Sequence, residues 1–443
     1  MGRPARPPGV EIVLDWADPA DALSRFHDAP CALLMQGGSA SSAGRYSYLT
    51  AFPEFTVQED DPASGFERLR AGYRACAHPR APGFSGGYAG LLGYDLGRAF
   101  ERLPARGSGL GPWPAVAMSW YGAALVFDHA ARTLIVRGEA CAAARLADAL
   151  RGPARRLEAG PGRLDQVWED TRYLDAARRA IAYVRAGDVF QVNLSHPFRG
   201  VVTGRDAPAA LARALAGSSP AAFSAYLRLD ETRAVVTNSP ERFVRIAPFG
   251  EVETRPIKGT ARRLEDPDAD AAAAAALARS LKDRAENLMI VDLMRNDLAR
   301  VCAPGSVRVP DLFAVESYAN VHHLVSTVTG RLAADRDVFD LLAGSFPPGS
   351  ITGAPKPRAM EIIAELEGES RGPYCGALGW IGPDGQADFN VMIRTAALVR
   401  QDDGWACEVR SGGAITIDSD PDAELEETRA KAGALARAIE TLS

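Results

Sequence analysis

The lysine in ETRPIKGTARR, residues 253–263, is the first candidate for chemistry in this sequence. Lys258 stands between an isoleucine and a glycine, directly after an alternating run that predicts a strand. A lysine amine, with a reference pKa of about 10.4, is usually a solvated surface cation. On an apolar turn that buries it, the same amine loses its proton more easily and becomes a nucleophile. This stretch alone leaves both interpretations open.

Two pairs of carboxylates occur at helical spacing. Asp283 and Glu286 are three residues apart, and Glu424 and Glu427 repeat this spacing, with Lys431 four residues further on. Residues three apart share one helix face, so each pair could contribute to a site for a hard cation such as Mg²⁺. Two solvated helix faces with ion pairs would explain the same spacing. Neither explanation is excluded by the spacing.

Two loops and one arginine indicate a small anionic ligand. GSITGAPKPR, residues 349–358, lacks the Walker spacing but precedes a predicted helix, whose N-terminus offers backbone N–H groups. RSGGAITI, residues 410–417, offers a similar nest. Arg394 lies in the apolar run VMIRTAA, where an unpaired guanidinium is costly, so a carboxylate partner is expected. Together these features predict a site for a small polyanion with a metal.

The surrounding pattern predicts an α+β fold. Strand-like runs group with strands and helical runs with helices, which favours layers over alternating βαβ units. Helices are predicted near residues 170–186 and from about Pro267 to Arg300. The segment 151–166 is rich in proline, glycine and arginine, so it predicts a linker between residues 1–150 and 167–443.

Composition narrows the class of protein. The chain has 443 residues, of which 47% are hydrophobic and 24% charged, as in ordinary globular proteins. A net charge of −6 and the lack of a basic block argue against nucleic-acid binding, and no apolar run reaches the roughly 18 residues that span a bilayer. The N-terminal residues lack a secretory h-region, and the six cysteines are scattered singly. We therefore expect a cytoplasmic enzyme or binding protein without a membrane or nucleic-acid partner.

Eight motifs resemble those of the chorismate-utilising enzymes, a family that includes anthranilate synthase large subunits, aminodeoxychorismate synthase component I, and isochorismate and salicylate synthases. In chain order they are VFQVNLS, SPERF, TRPIKGT, DRAENLMIVDLMRNDL, VHHLVST, PPGSITGAPKPRAMEII, IRTA and SGGAI. The resemblance is close over residues 165–435 and looser in the N-terminal third. It implies a layered β/α/α/β sandwich of two intertwined subdomains, with an N-terminal region at 1–150 and the chorismate-binding catalytic domain at 167–443.

Two positions discriminate among the branches of this family. The PIKGT motif resembles that of aminodeoxychorismate synthases, whose lysine forms a covalent adduct with the substrate ring, whereas anthranilate synthases carry alanine at the position of Lys258. Gln191 replaces the lysine that activates water in isochorismate- and salicylate-forming relatives, and an amide cannot act as a base. The resemblance therefore implies replacement of the C4 hydroxyl of chorismate by ammonia, giving 4-amino-4-deoxychorismate for p-aminobenzoate and folate synthesis. Anthranilate synthesis is the alternative.

The resemblance assigns catalytic roles to three residues. Lys258 is the nucleophile that adds at C2, Glu241 of SPERF is the proton donor and acceptor, and His323 of VHH lies near the leaving hydroxyl. Lys258 must lose its proton at pH 7, and burial or the nearby Arg255 and Arg262 would lower its pKa.

The resemblance also implies a cofactor and a set of substrate contacts. The cofactor is Mg²⁺, which would hold the ring carboxylate. The residues that match its ligands, two directly and two behind them, are Glu286, Glu427, Asp283 and Glu424. The residues at substrate-contact positions are Thr352, Tyr374, Arg394, Gly412, Gly413, Ala414 and Lys431.

Family members also bind tryptophan between an N-terminal strand and a later loop. The residues that match this pocket are Gln36, Arg45, Tyr46, Ser47, Ala222, Phe223 and Ser224. The sequence departs from the family pattern at both walls, because a glutamine replaces the usual serine and SSPAAFSA lacks the usual Asn-Pro.

The ammonia source is expected to be a second protein. A glutaminase cysteine lies on a tight G-x-C-x-G turn or at the N-terminus, and none of the six cysteines of this chain, which starts Met-Gly, fits either design. The resemblance implies a separate glutamine amidotransferase subunit that delivers ammonia.

Overall fold

The structure is a computed structural model that describes residues 9–37, 44–77, 83–105, 107–318 and 320–442. Its helices are α1 (Pro19–Leu23), α2 (Pro62–Cys76), α3 (Ala140–Arg151), α4 (Asp170–Ala186), α5 (Ala207–Ser218), α6 (Pro267–Arg279), α7 (Leu281–Ala299), α8 (Val338–Ser345), α9 (Lys356–Glu367) and α10 (Pro421–Glu440). Its first eleven strands are β1 (Val10–Leu14), β2 (Leu33–Gln36), β3 (Tyr46–Thr50), β4 (Phe55–Glu59), β5 (Gly87–Leu92), β6 (Val116–Tyr121), β7 (Ala123–Asp128), β8 (Thr133–Gly138), β9 (Gly162–Gln166), β10 (Gln191–Thr203) and β11 (Phe223–Arg228). The others are β12 (Arg233–Ser239), β13 (Arg242–Ile246), β14 (Glu251–Arg255), β15 (Ile257–Arg262), β16 (Arg308–Ser317), β17 (Val321–Arg331), β18 (Gly353–Ala354), β19 (Ala377–Ile381), β20 (Ala387–Asn390), β21 (Thr395–Gln401) and β22 (Gly404–Ile415).

These strands form two antiparallel sheets. The first has the order β1-β8-β7-β3-β2-β11-β12-β21-β22-β10-β18, with β9 also on β10, and the second has the order β15-β17-β14-β13-β20-β19-β5-β6-β4, with β16 also on β17. Both sheets mix strands of residues 10–138 with strands of residues 191–415, so the two parts of the chain are intertwined. The predicted α+β sandwich is confirmed. The division at 151–166 stays a prediction, although residues 162–166 of this segment form β9.

The layer order differs from the predicted β/α/α/β arrangement. One core cluster joins residues of both sheets and of no helix, among them Leu227 of β11, Leu91 of β5 and Trp380 of β19. The sheets therefore pack directly on each other there, while α1, α3, α5 and α10 pack on the first sheet and α2, α7 and α8 on the second. Strands β5 and β6 are buried on both faces, so their sequences are mostly apolar. A mostly apolar sequence does not show whether a helix or a second sheet covers each face of the strand.

The predicted helix from Pro267 to Arg300 is two helices. The chain breaks at Ser280, which has an extended backbone and whose side chain accepts the N–H of Asp283. A serine side chain at this position satisfies one of the free donors in the first turn of a helix. The break therefore starts a new helix, α7, whose first turns carry Asp283 and Glu286. None of the described helices is both long enough and apolar enough to cross a membrane.

Candidate active site

A cavity of about 1400 Å³ brings most of the predicted site residues together. Its walls come from β15, α7, α10, the turn before β18 and the glycine loop in β22. The predicted residues that line it are Glu241, Lys258, Asp283, Glu286, His323, Tyr374, Arg394, Gly412, Ala414, Glu424, Glu427 and Lys431. They come from distant parts of the chain, so only the tertiary fold assembles the site.

Lys258 lies in β15 and not on the turn expected from its sequence. The pairing of β15 with β17 shifts register between Ile257 and Thr260, where Gly259 has a φ of +86°. A Cβ at Gly259 would lie 2.9 Å from the Cβ of Asp283, so glycine is needed for β15 to approach α7 this closely. A bulge of this kind re-aims the neighbouring side chain, and Lys258 lines the cavity.

The cavity lowers the pKa of the Lys258 amine. Burial is the largest cause, and the positive charge of Lys431 lowers the pKa further, while carboxylates around the cavity oppose the shift. Of the two causes expected from the sequence, burial acts here, and Arg255 and Arg262 are not among the main causes. The Arg255 guanidinium is paired with Glu316 instead.

Glu241 lies between β12 and β13, with its carboxyl group buried in the cavity wall. Burial raises its pKa to about 7, against the opposing effects of a hydrogen bond from Ser350 and the charges of Lys258 and Arg394. Its own N–H and carbonyl are held by Ser239 Oγ and by the Val391 N–H. A carboxyl group with a pKa near 7 can both give and take a proton at neutral pH.

The two adjacent histidines of β17 have different surroundings. His323 faces the cavity, and its Nδ1 lies 2.9 Å from Thr260 Oγ1. Burial, and then the charge of Arg394, lower the pKa of His323 to about 3, so its ring is neutral. The Nε2 of His322 lies 3.0 Å from Asp270 Oδ1, on the other face of the strand. The geometry therefore favours His323 as the residue that meets a ligand.

Arg394 precedes β21 and is not inside a strand. Its φ is +51°, and its side chain lines the cavity. Burial lowers its pKa, and Glu241 is the carboxylate that opposes this shift. Tyr374 also lines the cavity and packs on Arg371, whose guanidinium carbon is 5.6 Å from the ring centroid. A guanidinium and a phenol group thus both line the cavity.

Four carboxylates reach the cavity from two helices. Asp283 and Glu286 come from α7, and Glu424 and Glu427 come from α10. A Cβ at Gly413 would lie 2.7 Å from Glu424 Oε2, so the glycine loop leaves room for that carboxylate. Each predicted pair therefore lies on the cavity side of its helix.

These carboxylates have different counter-charges. Burial raises the pKa of Glu286, whose Oε1 is 3.9 Å from Lys282 Nζ. Burial also acts on Glu427, but Lys431, at 2.7 Å, outweighs it and lowers the pKa. The donors of this set are all carboxylate oxygens, which are the ligand type that Mg²⁺ prefers. Within the described part of the chain, however, no three histidine, cysteine or acidic side chains are close enough together to hold a metal ion.

Two predicted substrate residues do not line the cavity. The Thr352 hydroxyl donates to the carbonyls of Pro348, at 3.1 Å, and Gly349, at 3.4 Å, so it stabilises its own turn. Gly413 makes room for a carboxylate, as described above. Ser350, two residues before Thr352, lines the cavity instead. It and Thr260 stand inside motifs that the sequence singles out, but their contacts arise only in the folded chain.

A family model described as chorismate binding enzyme matches residues 32–437. The chain belongs to this family. It is 41% identical to "Aminodeoxychorismate synthase component 1" of Klebsiella aerogenes, over 97% of this chain and 99% of the relative. It is 39% identical to "Anthranilate synthase component 1" of Streptomyces coelicolor, over 97% of this chain and 88% of the relative. The crystal structure of anthranilate synthase component I from Streptococcus pneumoniae matches it with a TM-score of 0.79 and 29% identity, covering 90% of this chain and 93% of the other.

A second cavity, of about 60 Å³, lies between β2, β11 and β19 of this chorismate-binding enzyme. Five of the seven residues predicted for a tryptophan pocket line it: Gln36, Tyr46, Ala222, Phe223 and Ser224. The other two do not. Arg45 pairs with Asp128 at 2.6 Å, and the Ser47 hydroxyl lies 2.7 Å from His129 Nε2. Tryptophan binding stays a prediction.

We expect Gly259→Ala to lower the free energy of unfolding by about 1–3 kcal/mol, because alanine is strained at positive φ and its Cβ would clash with Asp283. Thermal and urea unfolding measure this. The control is Gly217→Ala in α5, where an added Cβ meets nothing within 4 Å and alanine favours the helix. Equal stability of the two variants would contradict the role given to Gly259.

Proposed function

We propose that this chain acts as an aminodeoxychorismate synthase component 1, replacing the C4 hydroxyl of chorismate by ammonia to give 4-amino-4-deoxychorismate for p-aminobenzoate and folate synthesis. The observation that carries the proposal is the half-buried Lys258, whose amine has a lowered pKa and shares the cavity with Glu241. The relatives named aminodeoxychorismate synthase component 1, which align over nearly the full chain, support it.

In the first half-reaction the neutral Lys258 amine attacks C2 of the ring. A C2–N bond forms, the two ring double bonds each shift by one position, and the C4–O bond breaks. Glu241, with a pKa of about 7, protonates the leaving oxygen so that water departs, and then takes a proton from the alkylated amine. Two displacements thereby replace one direct substitution of a poor leaving group.

In the second half-reaction ammonia attacks C4, the double bonds shift back and the C2–N bond breaks. Glu241 gives its proton to the departing amine, which restores neutral Lys258, and then takes the proton that the new C4 ammonium group loses, which restores Glu241. Chorismate and ammonia are thus converted to 4-amino-4-deoxychorismate and water. No oxidant or reductant is consumed.

Other residues of the cavity orient the substrate and exclude a competing nucleophile. Arg394 and Tyr374 supply a cation and a hydroxyl for a substrate carboxylate, and the neutral His323 can form a hydrogen bond with the leaving hydroxyl. Gln191, fully buried at the start of β10, is an amide and cannot deprotonate water. Addition of water in place of ammonia is therefore disfavoured.

Magnesium would be held by Glu286 and Glu427, with Asp283 and Glu424 behind them. The all-oxygen donor set on two helices of one cavity suits this cation. When bound, Mg²⁺ would fix the ring carboxylate of the substrate and offset its charge. Lys282 and Lys431 neutralise part of the same acidic wall.

Ammonia would come from a separate glutamine amidotransferase subunit. Burial raises the pKa of the Cys375 thiol to about 12, and it does the same to Cys302, to about 11, and to Cys407, to about 12. A glutaminase needs the opposite, a thiolate near neutral pH. The exposed Cys141 lies in the first turn of α3, shortly after β8, but its sequence EACAA lacks the glycines of G-x-C-x-G. Cys76 is the last residue of α2.

We expect Lys258→Ala to fold but to form no covalent adduct with chorismate and Mg²⁺, because it lacks the attacking amine. Intact-protein mass spectrometry of wild type should show a species heavier by chorismate less one water. Lys282→Arg, which removes an exposed amine of the same region but keeps the positive charge beside Glu286, is the control and should keep the adduct. The same adduct on Lys258→Ala would show that another residue is the nucleophile.

Glu286→Gln and Glu427→Gln should each raise the Mg²⁺ concentration for half-maximal activity by at least about tenfold, because each removes a charged ligand. Isothermal titration with Mg²⁺ alone measures the same loss without turnover. Glu365→Gln, on the outer face of α9, is the control. An unchanged titration of both cavity variants would identify the carboxylate pairs as ordinary helix faces.

The purified chain should convert chorismate with ammonium salts, faster at elevated pH where more NH₃ is present, and not with glutamine. Product analysis by chromatography separates the candidate reactions, because anthranilate formation releases pyruvate and 4-amino-4-deoxychorismate formation does not. Addition of a glutamine amidotransferase subunit should restore glutamine use. Glutamine-dependent product from the chain alone would overturn the partner proposal, and pyruvate release would favour anthranilate synthesis.

A further inference from the structure

Ser350 lies on the turn Gly349–Ile351, between α8 and α9, and its side chain is buried in the cavity wall. The turn is held from several sides. A Cβ at Gly349 would lie 2.5 Å from side-chain carbons of α7, so the turn packs tightly on that helix. The fully buried Arg371 donates to the Ile351 carbonyl at 3.1 Å, and the Asn193 N–H donates to the Thr352 carbonyl at 2.8 Å. Ser350 therefore sits on a rigid support.

From this support Ser350 contacts two groups of the proposed reaction, Lys258 on β15 and Glu241 between β12 and β13. Its carbonyl accepts a hydrogen bond from Lys258 Nζ at 3.3 Å. Ser350 and Glu241 line the same cavity, and a hydrogen bond between the Ser350 side chain and the Glu241 carboxyl group opposes the effect of burial on the Glu241 pKa. The other charged groups that face Glu241 are Lys258 on β15 and Arg394 before β21.

We propose that Ser350 is a positioning residue of the reaction proposed above, on which this inference rests: its carbonyl orients the Lys258 amine and its hydroxyl holds the Glu241 carboxyl group. An amine that donates one N–H to a fixed carbonyl has fewer orientations about its Cε–Nζ bond. Its lone pair then points in a restricted range of directions, which favours attack on one ring carbon. The hydroxyl in turn stabilises the carboxylate that remains once Glu241 has given up its proton.

The first test removes the hydroxyl. Ser350→Ala keeps the backbone carbonyl, so the Lys258 contact stays while the Glu241 contact is lost. The pKa of Glu241 rises, and the limb of the kcat/KM profile that this carboxyl governs moves to higher pH, by about one unit. We also expect a lower kcat with the KM for chorismate within about twofold, since Ser350 is argued to act through other residues.

The controls separate positioning from structure. Ser350→Thr keeps a hydroxyl and should restore the wild-type limb. Ser345 is a matched control because it is also a buried serine whose carbonyl accepts a hydrogen bond from a lysine amine, that of Lys356. Ser345 does not line the cavity, so Ser345→Ala removes a buried hydroxyl elsewhere. It should leave the limb in place. Ser350→Cys has nearly the size of serine with a weak thiol donor, so it tests the same bond if the alanine variant does not fold.

A titration without substrate distinguishes this inference from the proposed function. Infrared difference spectroscopy, with Glu241→Gln to assign the band, follows the carboxyl stretch of Glu241 as pH changes. A midpoint that rises in Ser350→Ala or Ser350→Cys and not in Ser345→Ala supports the inference, whichever product the enzyme makes. The inference is overturned if the midpoint and the kinetic limb stay at wild-type values in the Ser350 variants, or if Ser345→Ala shifts them equally.

Discussion

Removal of water from the Lys258 amine is the constraint on which the rest of the site depends. An ammonium ion loses hydration when it is buried, so its pKa falls and the neutral amine that the proposed reaction needs becomes accessible. The same loss of water acts in the opposite direction on Glu241 and raises its pKa to about 7. Burial thus favours the neutral form of both groups, the unprotonated amine and the protonated carboxyl group. Neutral His323 follows from the same burial.

A cavity that buries charged groups needs rigid surroundings, and buried ion pairs provide that rigidity here. Arg371 is fully buried, pairs with Glu367 at 2.7 Å and donates to the carbonyls of Asn193 and Ile351. It thereby ties β10, α9 and the turn before β18 into one unit. Removal of one partner of such a pair typically costs about 3–5 kcal/mol, because the other charge stays buried. The active site is therefore positioned by packed elements and not by free loops.

Local sequence patterns predicted much of the secondary structure. They failed where the conformation of a segment depends on contacts with distant parts of the chain. The helix near 170–186 is α4, and Gly187 ends it in the left-handed conformation, as glycine commonly does. The break at Ser280 and the location of Lys258 in a strand were not predicted. The first depends on a side-chain cap within a run of good helix formers. The second depends on pairing with β17, which is more than sixty residues away in sequence.

The sequence by itself determined the family, through eight motifs in order, and it supplied the residue types on which the proposed chemistry rests. It also determined that each carboxylate pair shares one helix face, because a spacing of three is a local property of the helix. Only the tertiary structure decided that α7 and α10 direct both pairs into one cavity, that His323 and not His322 faces it, and that Ser350 links Lys258 to Glu241. The physical reason is that burial and charge proximity, which shift a pKa and orient a side chain, depend on neighbours distant in sequence.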